Sequence, residues 1–355
     1  MRIDALRQAL HATGAKDCHV DRVLRAWTQA KALDSGPRHQ PAADFLPLGL
    51  RHALPTLAAQ LAGLARIRSE HAGEDGSRLL VELADGQLVE SVLLPRDGLC
   101  ISTQVGCAVG CTFCMTGRDG LLRQVDSGEM VAQVVLAQQR RTVSRVVFMG
   151  MGEPSHNMDN VLEAIDALGT YGGIGHKNLV FSTVGDYRVF ERLPQERVRP
   201  ALAISLHTTR PELRAELLPK AAPIPPEELV ELAETYARTT GYPIQYQWTL
   251  IDGVNDSEAE MDGIVRLLSG KYALMNLIPY NTTAALDYRR PAVEKVTALT
   301  RYLHAHGIRT TVRNSAGQDV DGGCGQLRAR NLERAGGRPQ KITLQRAAGE
   351  NASPD

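Results

Sequence analysis

Cysteine is where this chain concentrates its chemistry. Of six cysteines, Cys100, Cys107, Cys111 and Cys114 fall in CISTQVGCAVGCTFC, while Cys18 and Cys324 stand alone. Clustered thiols bind metal, exchange disulfides or act as nucleophiles. Cys107, Cys111 and Cys114 are spaced CxxxCxxC. Structural zinc sites close with four ligands, commonly from paired CxxC knuckles, and no His follows here at ligand spacing. A redox dithiol uses two thiols and leaves the third without a task. Three thiolates with one position open suit a 4Fe-4S cluster whose fourth iron takes an outside ligand. By spacing alone, an incomplete zinc site or a chance grouping stays open. Cys324 lies in GQDVDGGCGQL beside Gly322, Gly323 and Gly325. Lone cysteines are usually small buried hydrophobes, yet a glycine-rich loop is mobile and a poor place to bury one. Cys18 matches no pattern and reads as structural.

The elements that must position these thiols are legible from Cys100 onward. Apolar, β-rich runs occur at LCIST (99–103), RVVFMG (145–150), NLVFSTVG (178–185), ALAISLH (201–207), IQYQWTLI (244–251) and YALMNLIPY (272–280). Helical segments such as SGEMVAQVVLAQQRR and PPEELVELAETYARTT separate them. Continuous apolar strands alternating with helices predict a parallel sheet covered on both faces, hence an α/β fold. Six or so such units predict a barrel or an open partial barrel, with its active residues past the C-terminal strand ends. The cysteine cluster follows the first of these strands. The glycines of GMGEP (150–154) follow the second and would let a ligand approach the backbone beside Glu153.

Upstream, IDALRQALHA, DRVLRAWTQAKAL and LRHALPTLAAQLAGLARI space apolar residues three and four apart, predicting a small helical accessory domain over 1–75. RLLVELADGQLVESVLLP alternates on both sides of Asp85-Gly86, predicting a β-hairpin lead-in over 76–99. The catalytic barrel is expected over 100–328 and a basic tail over 329–355. The chain carries 40 Lys+Arg against 40 Asp+Glu, so no whole-molecule attraction to nucleic acid follows. A basic face has to be local, and Arg328, Arg330, Arg334, Arg338, Lys341 and Arg346 make the C-terminal segment one place for it. The N-terminus reads as an amphipathic helix without a signal-peptide core, and no apolar run is long enough to span a bilayer. A cytoplasmic location, with reduced thiols and no membrane partner, is expected.

CxxxCxxC with an aromatic, Phe113, before the last cysteine resembles the radical S-adenosylmethionine (SAM) superfamily. CISTQVGC, VFMGMGEP, STVG, ISLH, LIPYN and DVDGGCGQL resemble, in order, the RlmN/Cfr family of radical SAM RNA adenine methyltransferases. The likeness covers roughly residues 76 to 328, about two-thirds of the chain. The resemblance implies a partial (β/α)6 barrel and a 4Fe-4S cluster on Cys107, Cys111 and Cys114, with SAM on its open iron. It implies methyl transfer to adenine C2 or C8 in rRNA or tRNA through a methylated Cys324. Cys100 would assist deprotonation and then form a disulfide with Cys324, and Glu90 would accept a proton. Contacts to SAM would come from Gly152, Glu153, Ser182, Ser205, Leu206, His207 and Asn281. Thr282 follows Asn281 where relatives generally carry proline, which puts that loop's shape in question. The family also implies an RNA substrate, an electron donor such as flavodoxin or ferredoxin, and a monomeric enzyme. A radical SAM enzyme with a non-RNA substrate would explain the triad but would give Cys100 and Cys324 no shared purpose.

Overall fold

In the computed structural model the described residues are 1–36, 40–73, 76–283 and 286–313. Helices α1 (Ile3–Ala12), α2 (Asp17–Thr28) and α3 (Leu48–Ala62) lead into strands β1 (Ala65–Gly73), β2 (Gly76–Leu83), β3 (Leu88–Leu94) and β4 (Gly98–Ile101). A short antiparallel pair, β5 (Gln104–Gly106) and β6 (Leu121–Gln124), stands apart from the main sheet. Next come α4 (Ser127–Gln138), β7 (Arg145–Phe148), α5 (Met158–Thr170), β8 (Leu179–Thr183), α6 (Tyr187–Arg192), β9 (Ala201–Ser205), α7 (Pro211–Leu217) and α8 (Pro226–Thr240). The described chain ends with β10 (Ile244–Leu250), α9 (Glu258–Leu268), β11 (Ala273–Pro279), α10 (Val293–Ala305) and β12 (Thr310–Val312).

The main sheet runs β1-β2-β3-β4-β7-β8-β9-β10-β11-β12. Its first four strands pair antiparallel and those from β4 to β12 pair parallel. All six expected strands are present, with β12 as a further parallel strand. β4 pairs with β3 rather than closing on β12, so the barrel is open. Runs such as LVFST, buried at every position, need cover on both faces, which fixes the parallel core.

Lateral register sorts the side chains between two environments. Cys100 is level with Val147, Val147 with Val180, and Val180 with Ala201. These residues, with Val92 and Ala203, form a small apolar cluster on the concave face. Phe148, Phe181, Leu202 and Trp248 belong instead to the large core beneath the helices. That core also contains Leu6, Leu24, Trp27 and Leu50. The N-terminal helices therefore share one core with the barrel, docking on α4 and α5.

One boundary differs from the sequence reading. Helix α3 stops at Ala62, and Ala65–Gly73 forms β1 inside the stretch expected to be helical. ARIRSEHAG alternates exposed residues with partly or fully covered ones, and Arg66 and Arg68 both donate to Glu82 of β2, at 2.6 and 3.3 Å. Period-two alternation and cross-strand charge pairing win over helical propensity there. Cys324 and the basic tail lie outside the described residues.

Candidate active site

The three clustered cysteines occupy the loop that joins β5 to β6, just beyond the C-terminal end of β4. Cys107 N–H donates to Gly120 O at 3.0 Å and closes the loop's neck. Gly106, at φ +80°, passes so close that a Cβ there would meet Gly120 O at 2.0 Å. Cys114 N–H donates to Cys111 O at 3.0 Å, a tight turn that places these two thiols near one another. Val109, Leu217, Leu218, Ile251 and Tyr280 form an apolar seat under the loop. Arg123 of β6 fixes it from outside, bonding Asp85 at 2.6 Å and Glu129 at the start of α4 at 2.8 Å.

Opposite the loop, β7 ends in GMGEP. Gly152 adopts φ +104°, and an added Cβ would lie 2.8 Å from Gln104 N, so only glycine lets this turn approach β5. The next residue, Glu153, is buried. Its N–H donates to Gln104 Oε1 at 2.8 Å, and its carboxylate accepts from Ser155 N at 3.1 Å and Val184 N at 3.0 Å. Backbone donors thus hold a carboxylate at the cavity wall before any ligand arrives.

His207 ends the β9 segment with φ +62°, an uncommon conformation for a non-glycine residue. Asn255 holds it there by donating to His207 O at 2.7 Å and Thr249 O at 2.8 Å. The ring's Nδ1 accepts from Thr249 N at 2.9 Å, so in the neutral ring Nε2 carries the proton. Burial, with Arg214 nearby, pulls its pKa from 6.5 to about 3. The ring meets Phe113 of the cysteine loop edge-on, centroids 4.9 Å apart. Arg214, on α7, is buried and donates to Val184 O and Ser205 O. Burial lowers its pKa to about 10, against the pull of Cys111 and Glu153.

The loop cysteines, Gly152, Glu153 and His207 line one cavity of about 330 Å³, room for a small ligand, and Arg214 bonds to two of its wall residues, Val184 and Ser205. Its walls include Cys107, Cys111, Cys114, Gly152, Glu153, Ser182, Ser205 and His207. Cys100 lines it too, from the concave face of β4. Three expected residues do not line it. Leu206 puts its side chain into the large core. Asn281 accepts from Arg290 Nη1 at 2.9 Å. Glu90 lies behind Arg78, which does line the wall, and the two form an ion pair of 3.2 Å. Glu90 is buried, contrary to the exposure usual for a hairpin glutamate. It sits two residues from Val92, whose β4 partner is Cys100, so the alternation of a strand brings Glu90 to the concave face. Cys324 lies outside the described residues.

The donor set fits an iron–sulfur cluster. Burial pushes the Cys107 thiol up to about 12, with Glu153 and Cys114 adding to it. Burial raises Cys111 as well, followed by Cys114, Cys107 and Glu153. With ionisation of Cys107 and Cys111 opposed in this way, their thiols become good ligands only around a strongly cationic centre. Among the described residues no group of three or more His, Cys, Asp or Glu could hold a metal ion, and a cubane takes each cysteine on a different iron. Cys107, Cys111 and Cys114 would hold the cluster, and Gly152 and Glu153 line the same cavity. Sequence inspection missed Arg145 and Arg313, because they belong to no motif and only folding brings them to the cavity wall, and the same holds for Arg214, which bonds to wall residues Val184 and Ser205.

An open α/β barrel with a three-thiol loop past its first strand defines a radical SAM protein. The radical SAM superfamily pattern matches residues 101–262. A "Probable RNA methyltransferase" of Dechloromonas aromatica is 80% identical over 334 residues, covering 94% of each chain. One from Bordetella avium is 64% identical over 347 residues, covering 98% of each. A crystal structure of a radical SAM methyltransferase from Sphaerobacter thermophilus superposes with a TM-score of 0.78 at 34% identity, over 92% of this chain and 97% of that one. The chain belongs to the radical SAM superfamily and, within it, to the family of these relatives.

Proposed function

We propose that this chain is a radical SAM RNA methyltransferase of the RlmN/Cfr type, placing a methyl group on an adenine carbon, C2 or C8, of rRNA or tRNA. The observation that carries the reading is Cys100, a thiol that lines the triad's cavity from a different strand. A cluster bound by three cysteines has no use for it, whereas a methyl-cysteine route needs a second thiol. The relatives' names support RNA as substrate, and the motif likeness supports adenine.

An adenine C–H is not nucleophilic, so direct displacement on SAM cannot methylate it. When bound, the cluster and SAM supply a carbon radical able to take hydrogen from a methyl group. The protein's own part is positional. Glu153 and Gly152 fix the methionine end of SAM, and Ser182 and Ser205 offer hydroxyls to ribose. His207 offers Nε2–H as a neutral donor. Cys324 takes the methyl group from one SAM and carries it to the base, and Cys100 releases the product by forming a disulfide with Cys324 as the Cys324 S–C bond breaks, its electron pair leaving with the carbon. An external reductant then restores both thiols. Glu90, paired with Arg78, is the assigned proton acceptor.

The test compares modified adenosines by mass spectrometry in rRNA and tRNA from cells with and without the gene, and from cells carrying Cys324→Ala. Loss of one methyladenosine in both the deletion and the variant, with the variant's cluster intact, is expected. Methylation that survives Cys324→Ala overturns the mechanism. Unchanged RNA in the deletion overturns the substrate class and favours a non-RNA radical SAM enzyme.

A further inference from the structure

The cavity has two electrical ends. At one stand the three thiols and the carboxylate of Glu153. At the other, near Cys100, stand Arg78, Arg145 and Arg313. Arg78 meets Glu90. Among the described residues neither Arg145 nor Arg313 meets a carboxylate. Arg145 Nη2 donates to the neutral amide of Gln245 at 3.1 Å. Arg313 is held by its backbone N–H, which donates to Leu277 O at 2.8 Å.

Both arginines are half-buried. Burial and then the charge of Arg313 pull Arg145 below the ordinary arginine range, and burial pulls Arg313 down against Cys100. Two neighbouring cations held partly out of water without a counter-ion are costly. An anion brought in by a ligand removes that cost, and paired guanidinium groups suit phosphate oxygens in charge and geometry. They come from the first residue of β7 and from the residue after β12, well separated in the sheet order, and both line the one cavity. The chain's net charge is zero, so phosphate binding must come from local groups of cations, and this pair is one.

We propose that Arg145 and Arg313 form an anion subsite that grips an RNA phosphodiester next to the nucleotide presented to Cys100. This rests on the RNA methyltransferase reading. A base drawn out of its stack brings its own phosphate to the cavity mouth, and a fixed grip there would set how deep the base enters.

The test uses the full chain, anaerobic and with its cluster. It measures binding of a fluorescent single-stranded oligoadenylate with ordinary phosphodiester or uncharged methylphosphonate linkages. Wild type is expected to prefer the phosphodiester by roughly ten- to a hundredfold, the usual effect of charged hydrogen bonds. Arg145→Gln and Arg313→Gln should each shrink that preference and lower the salt dependence, by about 0.7 in log–log slope for each phosphate that is no longer neutralised. Arg145→Lys should keep part of both. SAM binding and iron content, measured alongside, should stay at wild-type levels and exclude unfolding. If wild type binds both oligonucleotides equally, the RNA reading stands and the subsite falls. Binding of neither overturns the RNA reading and the subsite with it.

Discussion

At residue scale, the division of the cysteines is directly testable. Cys107→Ala, Cys111→Ala or Cys114→Ala should each abolish the brown colour and most iron and sulfide. Cys100→Ala should keep them while losing methyl transfer, since its thiol lines the wall from β4. Iron loss in Cys100→Ala would place that thiol among the cluster ligands. His207 predicts a pH effect. Its folded-state pKa of about 3 lies below the ordinary 6.5, so the unfolded chain takes up the proton first as pH falls. Above pH 6.5 the residue contributes no pH dependence. Below it, stability falls by about 1.4 kcal/mol per unit, and by pH 5 the loss reaches about 2 kcal/mol. Denaturant melts of wild type and His207→Gln should diverge in slope over that window, and parallel curves would contradict a buried neutral imidazole. Glu90→Gln breaks a buried ion pair with Arg78, and such breaks cost roughly 3–5 kcal/mol. A large fall in melting temperature is therefore expected whatever Glu90 does in catalysis.

At element scale, the cysteine loop depends on its neck. A side chain at φ +80° costs roughly 1–2 kcal/mol. In Gly106→Ala the added carbon would also lie 2.0 Å from Gly120 O, so β5 and β6 must separate. Purified Gly106→Ala should retain far less iron than wild type under identical anaerobic reconstitution, with its far-ultraviolet circular dichroism little changed because the main sheet does not include these strands. Full iron content would show that the loop tolerates a wider neck. The sheet edge matters equally. Because β3 pairs with β4, the hairpin becomes a wall of the site, bringing Arg78 and Glu90 to the cavity's Cys100 end.

At the scale of the whole molecule, helices and barrel share a core. Leu24, on α2, is fully buried in the cluster that contains Phe148 and Trp248. Leu24→Ala should cost roughly 2–5 kcal/mol. Barrel and helices should melt together in one transition at a lower temperature. A separate early transition of the helices alone would make them an independent domain. No helix among the described residues is long and apolar enough to cross a membrane.

Local chemistry was legible from sequence alone. The CxxxCxxC spacing, the apolar strands and the glycines of GMGEP depend on near neighbours, and near neighbours are what a sequence displays. The six strands lie where their apolar runs lie, within a residue or two at each end. Folding decided what depends on register between distant segments. β1 was missed because its alternation is completed by Glu82 across the sheet. Glu90 became buried, and Asn281 was drawn to Arg290 away from the cavity wall. The pairing of Cys100 with Val147 put its thiol on the concave face, and a slip of one residue would have turned it into the large core. Arg145, Arg214 and Arg313 belong to three separate elements and to no motif. Sequence placed the clustered thiols, while the fold supplied the charges around them, because electrostatic interaction follows distance in space and not separation along the chain.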